Sequence, residues 1–146
     1  MKILKLTLTI TLIMAMVSCN DDDDSTNSTS AVENVVKTGT WKITRFEDSG
    51  SNETASFSGY DFVFDANGTL TATDGSNLVV GTWSVTEDKS ADDSSHDMDF
   101  NINFNNNTFE ELSEDWHFVS HNASKIELIH VSGGNGGTDY LTFERN

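Results

Sequence analysis

Apolar and polar residues divide the chain into three parts. Residues 6–17 form an apolar run that three threonines interrupt, and residues 20–30 contain only Asn, Asp, Ser and Thr. From residue 39 onward, apolar and polar residues alternate in short segments. Alternation with a period of two is typical of β-strands that bury one face and expose the other. The pattern therefore predicts a β-rich domain that follows a polar linker.

Eight segments show this alternation and are predicted to be strands. The clearest runs from Asp97 to Asn105, and the sixth from Glu111 to Ser120. The remaining six contain Trp41, Tyr60, Leu70, Leu78, Lys125 and Asp139. Gly, Asn and Asp separate the segments and no helical pattern intervenes, which favours an antiparallel up-and-down meander. Because closure removes the exposed sheet edges, we predict an all-β fold that closes into a small eight-stranded barrel.

One short helix is predicted before the first strand. Ser30 and Glu33 have the spacing of a capping box, in which each side chain satisfies a free backbone N–H of the other. Apolar residues then recur at helical spacing: Ala31, Val32, Val35 and Val36. Gly39 is the predicted stop signal. So short a helix is not stable alone, and we expect it to pack on the barrel.

The N-terminal segment has the features of a lipoprotein signal peptide. A bilayer-spanning helix needs about 20 apolar residues, so the shorter run behind Lys2 and Lys5 is typical of a signal peptide. Met16-Val17-Ser18-Cys19 resembles the lipobox of bacterial lipoproteins. The resemblance implies removal of residues 1–18 and acylation of Cys19, which a palmitate analogue would label. An ordinary secretory signal with an incidental cysteine is the alternative.

Four aspartates, Asp21 to Asp24, follow Cys19 after a single residue. The run resembles the acidic tag that sends some Gram-negative lipoproteins through the outer membrane to the cell surface; a solvated linker without a sorting role is the alternative. The resemblance implies a lipid-anchored protein of the outer membrane that faces the cell exterior. The predicted organisation is a signal peptide (1–18), a lipidated cysteine with its linker (19–30) and a β-barrel domain (31–146).

Net charge limits the partners. The chain has 8 Lys and Arg against 24 Asp and Glu. Without residues 1–18, six basic residues face 24 acidic ones, a formal charge of −18. A surface this acidic repels phosphate groups, and we therefore expect no nucleic-acid partner. It also repels anionic lipid head groups, and we therefore assign membrane contact to the acyl anchor. Cys19 is the only cysteine, which leaves none for an intrachain disulfide, and no pattern indicates an oligomeric state.

The start of the first strand carries a family resemblance. Gly39-Thr40-Trp41 resembles the G-x-W signature of the lipocalins, and most closely the short lipocalin-like domains of bacterial lipoproteins. In lipocalins the tryptophan packs across the closed end of the barrel under an arginine of the last strand, which implies Arg145 here. The resemblance covers residues 31–146. The chain departs from the family in its shorter length and in lacking the disulfide and the long helix.

The inward aromatic residues predict either a ligand cavity or a solid core. The candidate ligand-binding residues are Phe62, Phe64, Trp83, Phe100, Phe104, Trp116 and Phe118. The predicted function is binding of a small apolar ligand in the barrel; the alternative is a non-enzymatic module that contacts a protein or a glycan. A pocket of about 300 Å³ or more would favour the ligand. A filled barrel with an exposed apolar patch would favour the module.

Residues with catalytic or metal-binding chemistry show no recognised spacing. The histidines, at positions 96, 117, 121 and 130, are scattered and have no cysteine to join them at a zinc ion. Asp93-Ser94-Ser95-His96 contains the residue types of a triad but no nucleophile-elbow motif. The carboxylates before the fifth strand match no calcium-loop spacing, so a solvated acidic face is favoured over a calcium site. We therefore expect no enzymatic activity, no cofactor and no metal.

Overall fold

A computed structural model of the chain describes residues 28–87, 98–134 and 136–146. These residues form one α-helix, α1 (Thr29–Val36), and two short 3-10 helices, Thr54–Phe57 and Glu110–Leu112. They also form nine strands: β1 (Trp41–Asp48), β2 (Ser51–Asn52), β3 (Asp61–Phe64), β4 (Thr69–Thr73), β5 (Leu78–Glu87), β6 (Met98–Phe104), β7 (Asp115–His121), β8 (Lys125–Val131) and β9 (Thr138–Arg145).

Eight of the strands form a closed antiparallel barrel. Sheet neighbours follow the order β1, β3, β4 and onward to β9, and β9 pairs back with β1. The two-residue strand β2 only extends the hairpin at the end of β1. Closure satisfies both edges of the sheet, which an open meander would leave unpaired. The predicted all-β, eight-stranded barrel with one short helix is confirmed.

The pairing of β1 differs between its two sides. With β9 it extends from Trp41 opposite Arg145 to Glu47 opposite Tyr140. With β3 the register contains a single pair, Trp41 with Phe62. Further along β1, residues 53–60 lie between β1 and β3 in place of paired strands, and we call this region the β1–β3 seam. There the backbone N–H of Phe46 donates to the Thr54 hydroxyl at 2.8 Å. The seam is therefore the part of the barrel with the fewest inter-strand hydrogen bonds.

Short helices close both ends of the barrel. Helix α1 covers the end at which β1 begins, where Val32 and Val36 are fully buried. The two 3-10 helices cover the opposite end, which we call the mouth, and bury Phe57, Phe109 and Leu112. Isolated helices of these lengths are unstable in water, so contacts with the barrel stabilise all three helices.

The first turn of α1 differs from the prediction. Ser28 rather than Ser30 is the N-cap, and its hydroxyl accepts a hydrogen bond from the N–H of Ala31 at 3.3 Å. The predicted capping box is wrong because Glu33 pairs with Lys37 one turn later, at 3.4 Å, instead of reaching back. The helix consequently begins at Thr29, inside the segment predicted to be linker.

The start of the sixth predicted strand is also wrong. Glu110–Leu112 forms a 3-10 helix, and β7 begins only at Asp115. Leu112 is fully buried, and its carbonyl oxygen accepts a hydrogen bond from Trp116 Nε1 at 3.0 Å. The segment bends over the mouth because burying Leu112 there removes an apolar side chain from water.

Asparagine and aspartate shape several turns in this proline-free chain. The side-chain oxygens of Asn52, Asn67, Asp74, Asn106 and Asn122 each accept a hydrogen bond from the backbone N–H two residues later. Such a side chain mimics a backbone turn and tolerates turn geometry without proline. These side chains therefore shape the turns without proline.

Three sequence predictions lie outside the described residues. They are the lipobox with Cys19, the aspartate run, and most of the acidic cluster with His96 before β6. Within the described part of the chain, no helix is both long and apolar enough to cross a membrane.

Candidate functional site

The seven predicted ligand-binding residues line the inside of the barrel. Phe62, Phe64, Phe100 and Trp116 are essentially inaccessible to solvent, Trp83 and Phe104 nearly so, and Phe118 is half-buried. The Phe64 ring centroid lies 5.5 Å from those of both Trp83 and Phe100. The Phe100 ring lies in turn 5.6 Å from Phe118. Four of the seven candidate side chains therefore form one set of ring contacts, and Phe62, Phe104 and Trp116 pack on other rings of the barrel.

Phe109 fills the mouth end of this aromatic cluster. Its ring centroid lies 5.1 Å from both Tyr60 and Phe104, and 5.4 Å from Phe57. Phe57 also packs on Phe46 at 5.3 Å. Edge-to-face contacts at these separations contribute about 0.5–1.5 kcal/mol each beyond the area they bury. The mouth is thus closed by aromatic packing.

Sequence reasoning missed Phe57, Phe109 and Leu112. Phe57 and Phe109 lie outside the alternating segments, and Leu112 lies in a segment that was predicted to be strand, so the period-two pattern did not place these side chains over the mouth. The available signal was the isolation of Phe57 and Phe109 within stretches of mostly small or polar residues. A single large apolar residue in such a loop has most to gain from folding back onto the barrel.

Gly39, Trp41 and Arg145 meet at the end covered by α1. The Arg145 guanidinium lies 4.7 Å from the centroid of the buried Trp41 ring, and its Nη2 donates to the carbonyl oxygen of Val35 at 2.9 Å. Trp41 Nε1 donates to the carbonyl oxygen of Val36 at 2.8 Å. Gly39 has a φ of +84°, and a Cβ there would lie 3.3 Å from Arg145 Cδ. This group joins α1 to the end of the barrel that it covers, which we call the barrel floor.

Two histidines lie next to carboxylates. His117 Nδ1 is 2.8 Å from Asp99 Oδ1 on the outside of the sheet. His130 lies at the mouth between Asp139, at 3.3 Å, and Glu114, at 3.6 Å. Among the described residues, no group of three or more His, Cys, Asp or Glu side chains is arranged to hold a metal ion.

The described residues line three open grooves on the surface. An acidic groove of about 330 Å³ lies at the mouth and is lined by Phe46, Asp48, Asn107, Glu110, Glu111, Glu114 and Asp139. A groove of about 560 Å³ follows the β1–β3 seam and is lined by residues 42–44, Asn52, Thr54, Ala55 and residues 57–60. The third, of about 440 Å³, lies on the outside of β5, β6 and β7. We call it the outer groove.

The outer groove is lined mainly by polar side chains. Its walls are Thr82, Trp83, Ser84, Asn101, Ile102, Asn103, Ser113, Glu114 and Asp115. Beside it, the chain that leads into β7 bonds to β6: the N–H of Ile102 donates to the Glu114 carbonyl oxygen at 3.2 Å, and that of Phe104 to the Ser113 hydroxyl at 2.8 Å. These bonds fix the Ser113–Asp115 wall relative to β6.

Comparison with known proteins gives a likeness in fold. No protein-family model matches the sequence, and no curated protein matches it. The crystal structure of a DUF4847 family protein from Bacteroides vulgatus ATCC 8482 is similar, with a TM-score of 0.50 and 21% sequence identity. The match covers 79% of this chain and 97% of that chain. At this identity, the similarity shows a common fold alone.

Proposed function

We propose that this chain is a non-enzymatic, lipid-anchored module of the outer-membrane surface that binds its partner on the outside of the barrel. One observation carries the choice of the outside: interior aromatic rings contact one another in a continuous path from Trp83 through Phe64, Phe143 and Phe62 to Phe109. The sequence contains no recognised catalytic spacing, which supports a role without catalysis. Interior side chains that contact one another leave the outer surface to recognise a partner.

The sequence supports the anchor. Cys19 follows the lipobox-like residues, and residues 20–27 separate it from the Ser28 cap of α1. Two or more acyl chains hold a protein stably on a membrane, whereas one does so only marginally. Anchored in this way, the barrel would have α1 towards the membrane and its mouth away from it.

Metabolic labelling tests the anchor. We expect a palmitate analogue to label the wild-type chain and the control Ser25→Ala, but not Cys19→Ser. Equal labelling of Cys19→Ser would contradict lipidation at this residue.

Surface exposure is tested separately. Replacing Asp21 to Asp24 by Asn should keep the label but remove access of an external protease to intact cells. Unchanged access would show that the aspartates serve only as a linker.

A small apolar ligand inside the barrel is the second candidate, and the seam favours it. Phe57 lines the seam groove and also contacts Phe46 and Phe109 in the core. Rotation of this one side chain would join the groove to the interior. Native mass spectrometry of the full chain, released from mild detergent, separates the two candidates. A reproducible bound small molecule would favour the interior, and the mass of the acylated chain alone the outer surface.

A further inference from the structure

The outward side of β4, β5 and β6 is almost free of charge. Its residues are Thr69, Thr71, Thr73, Leu78, Val80, Thr82, Ser84, Thr86, Asp99, Asn101 and Asn103. Asp99 is the one charged member, and it pairs with His117. The Lys and Arg residues of the described chain lie on or beside α1, β1, β8 and β9. A neutral face is unexpected on a chain with 24 acidic residues.

Strand register arranges these side chains in rows. Thr69 lies opposite Thr82, which lies opposite Asn103. Ser84 lies opposite Asn101, which lies opposite Asp115. Neighbouring strands are about 4.8 Å apart, so each row presents hydroxyl, amide and carboxyl groups at short, regular intervals. Both rows reach the outer groove.

Asn101 is oriented before any ligand arrives. Its Nδ2 donates to the Ser84 hydroxyl at 3.3 Å and to the Thr86 hydroxyl at 3.0 Å. These bonds use the donors of the amide and leave its oxygen as an acceptor. A group held in one rotamer loses less entropy on binding than a free side chain.

The chemistry of the groove selects among partners. Within residues 28–87, 98–134 and 136–146, no Lys or Arg lines it, so these residues offer no attraction to an anionic polymer. The exposed large apolar side chains, Leu78, Val80, Val119 and Val131, are spread over three strands. The groove also lacks the exposed Tyr, Trp and Arg anchors that dominate protein interfaces. Hydroxyl, amide and carboxylate groups instead match sugar hydroxyls, which donate and accept at once.

We propose that the outer groove binds a neutral glycan, with Asn101, Asn103 and Asp115 as its main hydrogen-bonding groups. This assignment rests on the proposed surface module and names the class of its partner. The groove involves the ends of β6 and β7 nearest the mouth, and so lies closer to the mouth than to the end covered by α1. Many copies on one membrane would bind a long glycan more tightly than a single groove does.

Affinity electrophoresis tests the proposal. The full chain, extracted in mild detergent, migrates through native gels that contain dextran, glucomannan, arabinoxylan, polygalacturonate or soluble chitosan. We expect at least one of the three neutral polysaccharides to retard it. Retardation by none of them would overturn the proposal, as would retardation by polygalacturonate or chitosan alone.

Variants locate the binding. Asn101→Ala and Asn103→Ala should each weaken retardation by about 2- to 10-fold, the effect of losing one net hydrogen bond. Asn34→Ala, which removes an exposed amide from α1, is the matched control and should bind as the wild type does. Asp115→Asn keeps the shape without the charge and should retain binding to a neutral glycan. Equal binding by all the variants would place the site elsewhere.

Different measurements would contradict the glycan proposal and the surface-module proposal. Loss of palmitate labelling or of surface access contradicts the module, whatever the gels show. Normal labelling and access with no retardation by a neutral polysaccharide contradicts the glycan assignment and leaves a protein partner for the module. Melting temperatures of the variants separate lost contacts from lost folding.

Discussion

Arg145 illustrates how much a single side chain does at the barrel floor. It covers the Trp41 ring and donates to Val35 of α1, while its Nε is buried without a hydrogen-bond partner. Arg45 offers a natural comparison, because its guanidinium lies 4.2 Å from the centroid of the Tyr140 ring in an exposed position. The two arginines make the same kind of ring contact at different degrees of burial.

We expect Arg145→Met to lower the free energy of unfolding by about 1–3 kcal/mol, because it removes a cation–π contact and leaves the Val35 carbonyl oxygen unpaired. Arg45→Met should cost less than about 1 kcal/mol, since its exposed ion pair with Glu47 is screened by solvent. Urea unfolding at neutral pH measures both. Equal losses of unfolding free energy in the two variants would show that burial of Arg145 does not increase its contribution to stability.

Residue types alone predicted only part of the candidate site. Trp41 could be recognised, because Gly39 and Thr40 precede it in a motif at a strand start. Asn101 and Asn103 could be assigned to an outward face from the alternation in β6. The wall opposite them could not, because Ser113 and Glu114 lie in a segment that was predicted to be strand.

At the scale of elements, the turn between β4 and β5 is the best-defined titrating feature. Hydrogen bonds from the backbone and side chain of Asn77 and from the backbone of Ser76 lower the pKa of Asp74 to about 2. The folded-state pKa is thus below the unfolded value of 3.8. The stabilisation by this carboxylate is therefore present above about pH 4 and is lost as the pH falls towards 2.

We expect Asp74→Asn to lower stability at pH 7 and to reduce the fall in stability between pH 4 and pH 2. Urea midpoints across this pH range measure the stability of each variant relative to the wild type. Taking this difference cancels the contribution of the other carboxylates to the pH dependence. Asn77→Ala, which keeps the carboxylate but removes a side-chain donor, should reduce the fall to a smaller extent. Parallel curves for all three proteins would contradict the assignment to this turn.

Elements with a regular period were predictable, and those without one were not. The eight barrel strands follow from alternation because each must bury one face. The 3-10 helices over the mouth follow from tertiary contacts of Phe57, Phe109 and Leu112, which no local pattern encodes. The β1–β3 seam was equally invisible, because the alternation in β1 does not say which neighbour pairs with which part of the strand.

At the scale of the whole molecule, the central question is whether the interior is occupied by its own side chains. Phe109→Ala should lower the free energy of unfolding by about 3–5 kcal/mol, through the lost burial and the cavity left behind. Phe109→Leu, which keeps more of the volume, should lose less. Urea unfolding measures both, with Phe118→Ala at a half-buried position as the comparison.

A dry apolar cavity of this kind binds benzene. Benzene should therefore raise the melting temperature of Phe109→Ala or, if that variant does not fold, of Phe109→Leu. The wild type should not respond. A comparable rise in the wild type would show that a cavity is already present and would favour an apolar ligand.

The junction between α1 and the barrel also has a mechanical consequence. A pull through the chain that precedes Thr29 acts first on the helix and on its hydrogen bonds to Trp41 and Arg145. These few bonds would break one after another, as in peeling, whereas the paired strands of the barrel would have to shear together. Force at the N-terminus should therefore detach α1 before the barrel unfolds. The Trp41 indole would then be exposed to water, and the change in its fluorescence would report the detachment.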